Sequence, residues 1–342
     1  MNNPTLCFVA GKSGGHIIPC LTLAQQAKSK NPSMKILFFS TTALLDAQII
    51  QNNITVDTHV GLPLETISAC KWYLLPKMCV LLMRSFGISF YQLYKKRPSR
   101  IISTGGHIAI PVCAAARLLR IPIELYELNV QPGKAIKWLA SHADVMRVCF
   151  KKTSQLLTHV PCTVTDYPIR FSVRDKEDIR KIEDLGLDLT KKTVFVLGGS
   201  QGSRFINEAI KEALTIDPLL ASQINIIHQT GPADQQHWQH FYENSGISAH
   251  VFAFSDTIAP YYQAADVIIS RAGAGALFEI LFFNKPCIII PLEMQHDSHQ
   301  YANAYEMVIQ NQRLFALIRQ ETIQKDSTAL AQSIKKMITL KF

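Results

Sequence analysis

Short apolar strands that run straight into glycine turns and then into helical stretches recur along this chain, and that recurrence constrains the fold most. The turns are Gly11-Lys-Ser-Gly-Gly-His16, Thr104-Gly-Gly-His107, Gly198-Gly-Ser-Gln-Gly202 and Arg271-Ala-Gly-Ala-Gly275. Leu6–Ala10, Lys35–Phe39, Arg100–Ser103 and Ile121–Glu127 read as buried strands, with helices over Pro19–Lys30 and Ile110–Leu119. The pattern then restarts. Thr193–Leu197, Ile224–His228, His250–Phe254, Val267–Ser270 and Cys287–Pro291 read as strands, with helices over Ser203–Leu214, Ala276–Phe283 and Gln300–Asn311. Apolar strands alternating with helices mean parallel sheets covered on both faces. A chain of 342 residues is too long for one such core and suits two. The polar stretch Val173–Lys192 reads as a linker with a surface helix, so the boundary is placed near residue 170, giving domains 1–170 and 171–342. The expected architecture is α/β, with two doubly wound domains facing across a cleft at the strands' carboxyl ends.

Charge narrows the partners. The net charge is +9, and no Asp or Glu lies between Thr66 and Ile123. Lys71, Lys77, Arg84, Lys95, Lys96, Arg97, Arg100, Arg117 and Arg120 all do. Residues 70–100 interleave seven of these cations with Trp72, Tyr73, Val80, Met83, Phe86, Phe90 and Tyr91, the composition of a helix lying on an anionic membrane surface. A buried helix with snorkelling lysines is the alternative. Nucleic acid fits poorly, because the aromatics sit in apolar runs instead of on a polar sheet face. The eight cysteines show no C-x-x-C spacing and read as reduced core residues of a cytosolic protein. No stretch reaches the ~18 apolar residues of a membrane span, and the run Leu6–Ala10 is too short for a signal peptide.

A strand–glycine–helix turn presents free backbone N–H groups and the positive end of a helix, which suits a phosphate. Gly11-Lys-Ser lacks the upstream glycine of a nucleotide-triphosphate loop, since Leu6 stands there. His16 opens the helix after Gly14 and Gly15, where a neutral imidazole can accept a proton; a packing histidine is the alternative. Glu127 and Asn129 lie on one side of a strand end, able to hold sugar hydroxyls, tune a histidine or cap the next helix. Ser200 sits where diphosphate oxygens would meet the second domain, unless its glycines merely make a tight turn. Glu279 lies one helical turn past Gly275, where a carboxylate can take both hydroxyls of a ribose. Asp297, His299 and Gln300 can grip a sugar. His296, Asp297 and His299 imitate a metal site only loosely, and no Asp-x-Asp occurs, so no metal and no cofactor is expected, with Arg170 and helix ends carrying the diphosphate charge.

In order and spacing these motifs, with His299-Gln300-Tyr-x-Asn303, resemble the MurG family of N-acetylglucosaminyltransferases from about residue 5 to about residue 330. The resemblance implies two Rossmann-like domains of the GT-B type and a metal-independent, inverting transfer of N-acetylglucosamine from UDP-GlcNAc. The acceptor it implies is lipid I, the MurNAc-pentapeptide on undecaprenyl diphosphate, giving lipid II for peptidoglycan at the cytoplasmic face of the inner membrane. The N-terminal domain would hold acceptor and membrane, and the C-terminal domain the donor. Donor contacts carried over are Ser13, Gly14, Gly15, Asn129, Arg170, Ser200, Ser255, the loop Ala274, Gly275, Ala276 to Glu279, and Gln300, with His299 beside it and Asn207 at a polar position near the cleft. His16 is expected as general base, with Glu127 supporting or replacing it. Departures are His107 where the family usually has Tyr, Asp166-Tyr-Pro-Ile-Arg170 for Gly-Asn-Pro-Val-Arg, Ala276 at a common hydroxyl position, and an end at Phe342 short of a final helix. The alternatives are another UDP-sugar enzyme of this fold, such as a glycolipid synthase or a UDP-GlcNAc 2-epimerase, and a non-catalytic UDP-sugar-binding relative.

Overall fold

The structure, a computed structural model, describes residues 4–11, 14–51, 53–64, 75–177, 185–199, 201–293 and 299–339. Ser13, Ser200, Asp297 and residues 70–74 of the basic aromatic segment therefore lie outside the described residues.

The chain divides into two compact units, Met1–Arg170 and Phe171–Phe342. The first runs β1 (Thr5–Val9), α1 (Gly14–Lys30), β2 (Lys35–Thr41), α2 (Leu44–Gln51), β3 (Thr58–Leu62), α3 (Leu75–Lys96), β4 (Arg100–Ser103), α4 (Ala109–Leu118), β5 (Ile123–Glu127), α5 (Lys134–Leu139), β6 (Val145–Val148), α6 (Lys151–Leu156) and β7 (Cys162–Val164). Its sheet order is β3-β2-β1-β4-β5-β6-β7. The second runs α7 (Val173–Glu177), β8 (Lys192–Leu197), α8 (Arg204–Ile216), α9 (Pro218–Gln223), β9 (Ile224–Gln229), α10 (Gln235–Asn244), β10 (Ala249–Phe252), α11 (Ala259–Ala264), β11 (Val267–Ser270), α12 (Ala274–Phe282), β12 (Cys287–Ile289), α13 (His299–Gln310), β13 (Phe315–Leu317), α14 (Gln320–Lys325) and α15 (Ala329–Thr339). Its order is β10-β9-β8-β11-β12-β13.

Both sheets therefore share a doubly wound plan, with a reversal of strand order between β1 and β4 and again between β8 and β11. The described pairings are parallel, as at Cys7 beside Leu37 and Ile101, or Val196 beside His228 and Ile269. Helices on both faces explain why the central strands are apolar throughout: Cys7, Phe8 and Val9 are wholly buried, as are Val194, Phe195 and Val196. Helix α8 shows the matching periodicity. Ile206, Ala209, Ile210, Ala213 and Leu214 recur every three or four residues and form one buried stripe against β8, β9 and α15.

Strands β3, β6, β7 and β13 were not expected from the sequence. They are short and carry little apolar alternation; β7 is the exposed-edge triplet Cys162-Thr-Val164. The basic segment is helical from Leu75 to Lys96, and α3 packs on α4 through Leu93 with Leu81, Leu82, Phe86, Ile88 and Phe90 behind it. Its outer stripe leaves Val80, Met83, Tyr91 and Tyr94 exposed beside Arg84 and Lys95. Among the described residues no helix is long and apolar enough to cross a membrane.

Candidate active site

In the first unit the switch point lies where β1 and β4 end side by side. The two glycine turns there are fastened together. Ser103 Oγ donates to the Val9 carbonyl at 2.9 Å and accepts from the Gly105 N–H at 3.1 Å. The Thr104 hydroxyl donates to the carbonyl of His16 at 3.1 Å. That last bond acts on a turn of α1 weakened by Pro19, which has no N–H for the carbonyl one turn back. Gly14, Gly15 and His16 thus form the opening turn of a helix at the carboxyl end of a central strand, His16 half-buried.

Glu127 is held within its own loop. It is 2% exposed, and both carboxylate oxygens are engaged. Oε1 accepts from the Asn129 backbone at 2.9 Å and from its side-chain amide at 3.2 Å, while Oε2 accepts from the Gly133 N–H at 2.8 Å. A carboxylate so occupied shapes the β5–α5 loop and is badly placed to take a substrate proton. The loop so organised presents Asn129 half-buried. Arg170, half-buried, closes the first unit.

In the second unit three strand-end turns converge on the β8–β11 switch point. The β8–α8 turn ends at Ser203, the N-cap of α8, whose hydroxyl accepts from Ile206 N. Its glycines answer to a neighbouring loop. A Cβ on Gly202 would sit 2.2 Å from the Thr230 carbonyl, and one on Gly231 would sit 2.7 Å from the Gln201 carbonyl. Both have positive φ, so the β8–α8 and β9–α10 turns cross backbone against backbone in a way other residues would not permit.

Arg271 fastens the same region. Its Nε donates to Ser203 Oγ at 2.9 Å and one terminal nitrogen donates to the carbonyls of Ile290 and Pro291 and to Gln320 Oε1. Burial pulls its pKa down to about 10, with Glu293 opposing, so it stays cationic at neutral pH. Gln300 Oε1 accepts from the N–H groups of Ala272 and Leu292, and Asn303 Nδ2 donates to the Ala272 carbonyl. A sugar contact from Gln300 must then come from its NH2 end. His299, half-buried, opens α13 beside it.

Helix α12 opens at Gly273 with no side-chain cap, so the N–H groups of Ala274, Gly275 and Ala276 head an uncapped helix. Glu279, 8% exposed on that helix, accepts from the Tyr262 hydroxyl at 3.0 Å, which fixes its orientation. Ser255 makes a local turn, its Oγ accepting from Thr257 N at 3.2 Å. Asn207 is wholly buried and bonded to the Thr230 carbonyl and to His228, so its side chain supports the turns from within the unit. Sequence reading missed Thr230, Gly231 and the anchoring role of Arg271, because the partners that give them meaning lie 19 or more positions away.

Residues 6–147 match the glycosyltransferase family 28 N-terminal domain, and residues 193–341 the C-terminal domain of the same family. The UDP-N-acetylglucosamine–N-acetylmuramyl-(pentapeptide) pyrophosphoryl-undecaprenol N-acetylglucosamine transferase of Geobacter sulfurreducens is 30% identical over 338 residues, spanning 97% of this chain and 89% of that protein. The chain belongs to the MurG family. The MurG-type transferase of Trichlorobacter lovleyi is 29% identical, over 98% and 91% of the two chains. In fold, MurG of Acinetobacter baumannii superposes with a TM-score of 0.72 at 21% identity, covering 98% of this chain and 91% of that one. A UDP-GlcNAc 2-epimerase of Neisseria meningitidis, bound to UDP-GlcNAc, follows at 0.67 and 11% identity, covering 98% and 94%. MurG membership and two parallel-sheet units of the GT-B type accordingly agree with the reading of the motifs.

Proposed function

We propose that this chain transfers N-acetylglucosamine from UDP-GlcNAc to the 4-hydroxyl of lipid I, forming lipid II with inversion. The observation that carries the reading is the second unit's switch point, where two helix N-termini and the Tyr262-held carboxylate of Glu279 are assembled in a chain of the MurG family. The donor diphosphate lies against the amides that open α12, with those of the β8–α8 turn beside it, and Glu279 takes the ribose hydroxyls. Uracil meets the backbone at Ser255. His16 accepts the proton of the 4-hydroxyl as its oxygen bonds to the anomeric carbon, and the anomeric C–O bond breaks with its electron pair leaving on UDP. The helix ends stabilise the charge that develops there. Glu127 positions Asn129 for the sugar.

The outer stripe of α3, apolar and basic together, is the membrane-facing surface in this proposal, and the enzyme works as a peripheral protein at the inner face of the cell membrane. UDP release measured with and without a lipid I analogue tests the reading. Release that requires the acceptor, with a β-1,4-linked disaccharide product, supports it. Release from UDP-GlcNAc alone, yielding a 2-epimerised sugar, would favour the epimerase alternative, and tight UDP binding without any release would mean a binding protein.

A further inference from the structure

We infer that Tyr242, His228 and Asn207 form a directional hydrogen-bond relay that holds the Thr230–Gly231 turn, and through it the diphosphate-binding turn after β8, in its binding shape. The inference rests on the donor site proposed above.

The direction of the relay follows from one bond. Asn207 Nδ2 donates to the Thr230 carbonyl at 3.1 Å, which turns its Oδ1 toward His228 Nε2 at 3.1 Å. An amide oxygen only accepts, so Nε2 carries the hydrogen and Nδ1 is bare. Nδ1 then accepts from the Tyr242 hydroxyl at 2.9 Å. Each atom of the chain has one role left to it. The surroundings keep it so: His228 is 0% exposed, edge-on to Trp238 and Tyr242. Burial drives its pKa down to about 3, so the ring is neutral and a proton donor at one nitrogen only.

The relay joins two elements that matter for the donor. Asn207 lies in the first turn of α8, its N–H donating to the carbonyl of the Ser203 cap at 2.9 Å. Thr230 lies in the turn that crosses Gln201 and Gly202, with its own N–H and hydroxyl bonded to the Phe252 carbonyl. Gly198 N in turn donates to the Gln229 carbonyl at 3.2 Å. The N-terminus of α8 and the turn feeding it are thus tied to β9 from both sides. A turn released from these ties would hold the binding shape for only part of the time, and affinity falls by that fraction.

Calorimetric titration of UDP into the intact chain, with steady-state kinetics, tests this in Asn207→Leu and Tyr242→Phe. Asn207→Leu leaves a buried carbonyl and a buried ring N–H unmatched. UDP affinity is expected to fall about tenfold or more, the scale of such losses, and the KM for UDP-GlcNAc to rise while that for the lipid acceptor holds. In the parent chain 15N NMR is expected to show His228 as the Nε2–H tautomer; in Tyr242→Phe the Nε2–H is kept while the bare Nδ1 resonance shifts on losing its hydrogen bond, with a smaller loss of UDP affinity. Folded variants that bind UDP as the parent does would overturn the relay. If Asn207→Leu does not fold, Tyr242→Phe decides: a parent ring that is not the Nε2–H tautomer, or an unmoved Nδ1 resonance with unchanged affinity, sinks it. Absence of UDP binding by the parent chain would instead remove the donor site and the relay with it.

Discussion

Arg271 is a cation taken largely out of water and bonded to a hydroxyl, two carbonyls and an amide oxygen from three other segments. Such a fork is matched by planar guanidinium geometry and not by a point charge. Arg271→Lys is therefore expected to lower kcat/KM for UDP-GlcNAc by roughly tenfold or more, since hydrogen bonds to a charged group contribute ~1.5–3 kcal/mol each. Initial rates at varied donor concentration check this. His16→Ala should lower kcat at least ~100-fold with donor binding retained, as loss of a proton acceptor does. A purified variant of near-normal turnover would take His16 out of that role. His228 bears on stability as well. Its folded pKa is depressed, so the unfolded chain binds the proton first; stability is full above about pH 6.5 and is lost as pH falls toward 3, by up to ~1.4 kcal/mol per pH unit. Urea melts at pH 7 and pH 5 should show that slope, and His228→Gln should flatten it.

Helix N-termini and helix faces act as units, and two expectations belong at that scale. Helix α12 begins without a side-chain cap, and Ala276 lies in its first turn. Ala276→Ser should tighten UDP binding up to about fivefold, the worth of one added neutral hydrogen bond of ~1 kcal/mol, and calorimetry reads it directly. Helix α3 turns its apolar outer stripe, Val80, Met83, Tyr91 and Tyr94, toward solvent among cations. Sedimentation with vesicles containing phosphatidylglycerol should retain the chain at low salt and release it as salt rises; Arg84→Glu with Lys95→Glu should abolish retention, because basic residues near such a surface contribute ~1 kcal/mol each. Retention independent of lipid charge would exclude this face as the contact.

At the scale of the molecule, two sheets of the same order place chemistry at the same end of each, because a doubly wound sheet opens a crevice where its strand order reverses. If the second unit alone holds the nucleotide, UDP should slow hydrogen exchange in the turns after β8, β9 and β11 and leave β1–β7 unchanged. At ~100 times its dissociation constant it should also add ~2.7 kcal/mol of stability. Strand–turn–helix order, the boundary near residue 170 and the glycine turns were legible in the residues, because apolar runs and glycines act through their immediate neighbours. Strands β3, β6, β7 and β13 escaped, since three to five residues carry too little pattern against loops. The tasks of individual polar groups were settled elsewhere. Glu127 became a loop clamp only when Gly133 folded back onto it, and Gly202 met its obstacle in Thr230. Asn207 became a buried link through a histidine 21 positions away. Local chemistry chooses helices, strands and turns, but which hydrogen bonds a buried side chain completes depends on what the fold brings against it.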